Sequence, residues 1–277
     1  MLDTFFEMMS YPFIFRAVVV GSCVALCASL LGVSLVLKNY AMIGDGLSHV
    51  GFGTLALAVP LNVAPLAISI PIVTLSAFLL LHLNERGKIR GDSALALLST
   101  GALAFGVIIL SMTTGMNTDV CNYLFGSILS MSAMDVKLSI TLSIIVMIIF
   151  ITCYNRIFAV TFDESFAKAT GTNVKFFNTT IALLTAMVIV LGMRLMGALL
   201  ISGMIVIPAI TSMELFKRFK IVVFSSGIIS IISLIMGMYI SYRFATPTGA
   251  GIVLCNFAFL FLAKIFLFIK VRGNWKT

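Results

Sequence analysis

The sequence predicts an all-α protein, a polytopic transmembrane helical bundle of about eight to nine spans with one further short helix in a loop. Three observations lead to that expectation. Of 277 residues, 61% are hydrophobic and only 10% charged, against about 25% charged in soluble domains, and the mean hydropathy is +1.17. The apolar residues fall in runs of about 20, the length that crosses a bilayer. The basic residues gather in alternate loops between those runs, as they do where loops face the cytoplasm.

Taken in order, the runs cover residues 12–37, 42–61, 65–83, 93–113, 136–154, 176–193, 195–213, 221–242 and 249–269. Ahead of the first, Asp3 and Glu7 make an acidic N-terminus with no basic residue before Arg16. A cleaved signal peptide needs a positive start and a small-residue cleavage site, so a retained helix is expected. The second run is the least apolar and the richest in Gly. No long linker, low-complexity tract or evident repeat divides the chain, and one transmembrane domain over 1–277 is expected.

Orientation follows from charge. Arg86, Lys88 and Arg90 lie in one loop, Arg156, Lys168 and Lys175 in a second, Lys217, Arg218 and Lys220 in a third, and Lys270, Arg272 and Lys276 in the tail. With nine spans all four segments share a side, while loops near 60–64, 115–119 and 245–248 hold no Lys or Arg. The positive-inside rule then puts the C-terminus in the cytoplasm and the N-terminus outside. A half-helix near 122–129 could alter the count. The net charge of +8 is explained by this orientation and by contact with membrane lipid, not by nucleic acid as a partner.

The five cysteines, Cys23, Cys27, Cys121, Cys153 and Cys255, form no CxxC pair. Inside apolar runs a free thiol behaves as a small hydrophobe, although Cys23 and Cys27 share a helix face that could suit a soft metal. Small residues at four-residue spacing mark close helix approach. Gly21, Ala25 and Ser29 form one such row, and Ser233, Gly237 and Ser241 another. Pro208 removes a backbone hydrogen bond in mid-run and is expected to kink its helix, for packing or for gating.

Ionisable groups at membrane depth are costly and therefore candidates for function. Asp92, Asp119 and Asp135 lie at span ends or beside connections, where caps and helix starts explain acids. His82 sits at a border of the third run. The exception is Gly44-Asp45-Gly46-Leu47-Ser48-His49. Asp45 and His49, four apart, share one helix face with Ser48 beside them. Carboxylate plus imidazole suits Zn2+ or Mn2+. The other explanation is an Asp–His pair that locks two helices together.

A second informative segment runs from 162 to 171. It has acids at a helix start and Gly171 at a C-cap position. A short surface helix there could contact lipid headgroups or dock a cytosolic partner. The chain lacks GxxxxGK[ST], so it does not itself hydrolyse nucleotide, and it lacks HExxH. Ser48 and His49 are adjacent and point apart, so they are no nucleophile–base pair.

At these residues the sequence resembles the permease family of bacterial zinc and manganese ABC importers. The resemblance runs through Gly44-Asp45-Gly-Leu-Ser48-His49, Leu124-Phe125-Gly126-Ser-Ile-Leu129 and Asp163-xxx-Ala167-xxx-Gly171. It continues through the stretch from Met196-Gly197 to Pro208-Ala209, and through Thr246-Pro247-Thr-Gly249-Ala250. The resemblance implies a permease homodimer in the bacterial cytoplasmic membrane, two cytosolic ATPases that use ATP, and an extracytoplasmic metal-binding protein. It implies that Asp45 and His49 line the path of a transported Zn2+ or Mn2+, with no covalently bound cofactor and no enzymatic activity in the chain. It also implies that 162–171 is a coupling helix, with Ser48, Asp163, Ala167, Gly171 and Pro208 as gating or coupling positions. A secondary transporter or channel for a divalent cation is the alternative from another class, and a permease for a larger chelate belongs to the same architecture.

Overall fold

A helix of 26 residues, α2 (Pro12–Leu37), sits at the centre of the bundle because it is apolar on every side, and most of its length is buried. The structure, a computed structural model, describes residues 2–85, 91–113 and 133–274. The sequence-stretch 115–119, the half-helix near 122–129, Cys121, Asp119 and part of the 84–92 loop lie outside the described residues.

Every regular element among the described residues is an α-helix. Ahead of α2 comes α1 (Leu2–Ser10), and after it α3 (Ile43–Leu61), α4 (Pro65–Glu85) and α5 (Gly91–Thr113). Then follow α6 (Ala133–Thr152), α7 (Tyr154–Phe162), α8 (Glu164–Ala169) and α9 (Val174–Met196). The chain ends with α10 (Ala198–Leu215), α11 (Phe219–Phe244) and α12 (Thr248–Asn274). Each of the nine apolar runs falls on one of these helices. Six of them are long and apolar enough to cross a membrane, namely α2, α5, α6, α9, α11 and α12. The apolar portions of α4 and α10 are shorter, Pro65–Leu81 and Leu200–Leu215. At 19 residues, α3 would extend about 28 Å, and its composition is diluted by Asp45, His49 and its glycines.

Helices α9, α10 and α11 pack directly on α2, and α3 is held between α5, α4, α10 and α9. The outer helices are apolar but little buried by the chain itself, 17% for α5 and 22% for α6 and α12, which fits surfaces that meet lipid or another chain. Both rows of small residues lie at close contacts. Ser230 Oγ donates to the Ala25 carbonyl at 3.1 Å and Ser226 Oγ to the Ser29 carbonyl at 3.3 Å, joining α11 to the Gly21-Ala25-Ser29 face of α2. Gly237 of the second row lies against the backbone of Ile252 in α12.

One local expectation is adjusted. The break between the sixth and seventh runs falls at Gly197, not at Arg194. Gly197 has φ 87 and ψ 161, a conformation essentially confined to glycine. Pro208 is buried and lies inside α10, which continues to Leu215. Acidic residues 3 and 7 fall within α1, where Met8 is 1% exposed. The four described cysteines, Cys23, Cys27, Cys153 and Cys255, are free, and Cys27 Sγ donates to the Ser143 carbonyl at 3.3 Å.

The side-chain contacts define two ends of the bundle. At one end Phe219, which opens α11, has ring centroids 5.6 Å from Tyr154, 5.1 Å from Phe158 and 5.7 Å from Phe162. The α2–α3 turn lies at this end too, through Lys38 and Glu164. At the other end, Tyr11 before α2 stands 6.4 Å from Tyr242 near the close of α11.

Candidate functional site

The turn that leads into the site is a rigid one. The Tyr40 amide donates to the Leu35 carbonyl at 2.8 Å and the Asn39 amide to the Val36 carbonyl at 3.1 Å, the reciprocal pattern of a Schellman cap. Asn39 takes the left-handed position at φ 60, which Asn tolerates better than most residues. After this turn α3 begins at Ile43, so Asp45 and His49 lie in its first two turns, within about 9 Å of its start.

Asp45 and His49 do come together. His49 Nε2 lies 3.7 Å from Asp45 Oδ2, with side chains 21% and 43% exposed respectively. That distance is too long for a direct hydrogen bond. It is a chelating distance: an ion about 2.1 Å from each atom would be held at a ligand angle of roughly 120°. The buried Nδ1 of His49 has no hydrogen-bond partner among the described residues, although a ligating imidazole ordinarily donates its second N–H. The pair lies within one helix, α3, as its four-residue spacing requires. Ser48 is fully buried, and its Oγ donates to the Asp45 carbonyl at 2.7 Å, so its hydroxyl is turned back on the helix and not toward the pair. Among the described residues no group of three or more His, Cys, Asp or Glu side chains gathers at one point.

The segment from 162 to 171 folds as α8 with defined ends. Asp163 is its N-cap, with Oδ1 accepting from the Phe166 amide at 2.9 Å. At the other end the Thr172 amide donates to the Ala167 carbonyl at 2.9 Å and the Gly171 amide to the Lys168 carbonyl at 3.1 Å. This is again a Schellman cap, and Gly171 holds its left-handed position at φ 80. Ala167 is completely buried and packs inward, whereas Phe166 is 62% exposed. Arg156 Nη1 donates to Thr172 Oγ1 at 2.8 Å, and Asn173 Oδ1 caps α9 through the Phe176 amide at 3.2 Å. Pro208 lies in neither cluster.

Sequence reasoning missed the group that joins α8 to the core. The Lys38 side chain is only 6% exposed, and its Nζ donates to Glu164 Oε1 at 2.5 Å and to Asn178 Oδ1 at 2.8 Å. Asn178 Nδ2 donates to the same Glu164 oxygen at 3.1 Å, closing a triangle between α2, α8 and α9. Burial by itself raises the Glu164 carboxyl. The hydrogen bonds from Lys38 and Asn178 and the charge of Lys38 outweigh it and hold the group below the usual carboxylate range.

A bundle of apolar spans with an Asp–His pair at the start of an inner helix, and a capped surface helix, has the architecture of a multi-span transport permease. The chain belongs to the ABC 3 transport family, which it matches over residues 10–267. It is 26% identical over 265 residues to the manganese transport system membrane protein MntC of Halalkalibacterium halodurans, covering 95% of this chain and 91% of that one. It is 28% identical over 256 residues to the high-affinity zinc uptake system membrane protein ZnuB of Haemophilus influenzae, covering 92% and 98%. Among solved structures it is similar to PsaBC from Streptococcus pneumoniae in complex with Fab, with a TM-score of 0.85 and 25% identity over 95% of each chain.

Proposed function

We propose that the whole chain acts as one membrane-spanning permease domain of an ATP-driven importer, carrying manganese or zinc across the bacterial cytoplasmic membrane. The single observation that carries the choice of cargo is the Asp45–His49 pair. Its 3.7 Å spacing suits two ligands of one divalent ion, and an imidazole with a carboxylate suits Mn2+ or Zn2+. Two ligands hold an ion weakly, as a path requires, since an ion must leave each site it enters. A second copy of the chain, in a homodimer, would supply a matching pair.

In this reading the chain crosses the membrane about eight to nine times, with the N-terminus outside and the C-terminus in the cytoplasm; six helices are long and apolar enough to span. The end bearing α7, α8 and Lys217 is then cytoplasmic, in keeping with the positive-inside rule. There α8 is the coupling helix, with Asp163 and the Gly171 cap fixing its ends and Ala167 seating it on the bundle. Phe166, exposed together with Phe162 at 57% and Phe176 at 60%, offers aromatic anchors to a cytosolic ATPase, which hydrolyses the ATP. An extracytoplasmic metal-binding protein delivers the ion at the opposite end. Ser48 and Pro208 shape the helices that carry and flank the pair.

Reconstitution with the partner ATPase and the delivery protein tests this reading. Uptake of radioactive manganese or zinc into proteoliposomes is expected to require ATP. Uptake driven by a proton or sodium gradient without the ATPase would instead identify a secondary transporter.

A further inference from the structure

Burying a lysine is expensive. The desolvation of an ammonium amounts to several kcal/mol after relaxation, and only a well-placed acceptor set offsets it. Lys38 is at the C-cap of α2, with its amide donating to the Ser34 carbonyl at 3.1 Å, so its backbone is fixed to the most buried helix of the bundle. Its ammonium reaches Glu164, the first residue of α8, and Asn178 in α9. Lys38 is also seven residues before Asp45, across a turn closed by its own hydrogen bonds. A displacement of α8 therefore acts on the same rigid turn that aims the chelating pair.

Two spaces of unequal size flank the triangle. A small cavity of about 20 Å3 lies between α2, α3, α4 and α9, with Leu35, Ile43, Ala77 and Ile181 in its apolar wall and Lys38 and Asn178 at its edge. On the other side, Glu164, Lys168, Asn173 and Lys175 line an open groove. Tyr40, Leu81 and Asn178 border both spaces, so the Lys38 triangle and the turn form the partition between them.

We propose that Lys38 is a positioning residue of the transport cycle, transmitting movement of α8 through the α2–α3 turn to Asp45 and His49. This rests on the reading of α8 as the helix that docks the ATPase.

The test uses the full transporter in proteoliposomes and reads metal ions moved per ATP hydrolysed. Lys38→Met is expected to lower that ratio about tenfold, within the usual range of coupling between sites, while the permease still co-purifies with its ATPase. Glu164→Gln, at a half-exposed position, is expected to lower it similarly and serves where Lys38→Met does not accumulate. The double variant is expected to lose no more than either single one, since the two residues act as a unit. Lys38→Arg, which keeps the cation, is expected to retain most of the ratio. Docking is read separately, from a disulfide or bifunctional cross-link between Ser165→Cys and the ATPase. A retained cross-link with an unchanged ratio in Glu164→Gln, or with additive losses in the double variant, overturns the relay alone. Absence of the cross-link overturns the docking reading and the relay with it.

Discussion

Gly32 of α2 lies so close to α10 that a Cβ added there would stand 1.9 Å from the Ile205 carbonyl oxygen. The obstruction is backbone, which cannot swing aside as a side chain can. Gly32→Ala is therefore expected to separate α2 from α10 just ahead of Pro208 and to destabilise the bundle by about 3 kcal/mol, near the upper end for overpacking. Gly101→Ala in α5, where an added Cβ meets nothing within 4 Å, is expected to stay within about 0.5 kcal/mol of the parent chain. Thermal unfolding of the two variants in one detergent checks the contrast.

Gly171 presents a different constraint. An added Cβ there has open space, so any cost comes from holding φ 80 with an L side chain, about 1 kcal/mol or slightly more. Gly171→Val is expected to loosen the cap of α8 while the permease still reaches the membrane. Co-purification with the ATPase should fall, and Gly171→Asn should be the milder change, because Asn tolerates the left-handed region. Equal co-purification of Gly171→Val and the parent chain would remove the requirement for this cap in docking.

The Glu164 carboxyl lies below its ordinary range in the folded chain. A depressed folded value contributes stability that is fully present above the unfolded value, about 4.3 for Glu, and is lost as pH falls through the folded value. The Lys38–Glu164 contribution is thus expected to be constant from neutral pH to about pH 5 and to disappear only in stronger acid. Melting temperatures across that range should show a flat upper limb, with the acid-side loss reduced in Glu164→Gln. A loss of the contribution already between pH 7 and 6 would contradict the assignment.

The proposed orientation makes the α7–α8 end cytoplasmic. In a cysteine-free background, Lys217→Cys is expected to be shielded from an impermeant thiol reagent in intact cells, and Thr246→Cys to be labelled. Labelling of the Lys217 position from outside would contradict the nine-span arrangement.

Much of this fold is local information. Hydropathy placed nine apolar runs that all fall on helices, and the four-residue spacing of Asp45 and His49 put them on one face before any tertiary contact was known. Gly171 was legible for the same reason, since a cap is made by neighbours in sequence. The Lys38–Glu164 contact was not, because its partners are 126 positions apart and a lysine in a short turn ordinarily reads as solvated. Nor could spacing show that the Ser48 hydroxyl turns back to the Asp45 carbonyl, or that Ala167 faces inward while Phe166 faces out. Those depend on which side of each helix meets the core. The α9–α10 break was displaced to Gly197 because a basic residue, Arg194, looked like a helix end, whereas the backbone turns where only glycine fits.

The central claim is that Asp45 and His49 form part of the metal path. Asp45→Asn preserves size and most hydrogen bonding but removes the charge that a divalent ion requires at membrane depth. The decisive measurement is uptake of manganese and zinc by Asp45→Asn in the assembled transporter, normalised to the amount of permease in the membrane. The expected result is loss of uptake by a factor of about 100 or more, equivalent to ~2.7 kcal/mol, with the permease still accumulating and still binding its ATPase. Normal uptake per permease molecule in Asp45→Asn would contradict the claim.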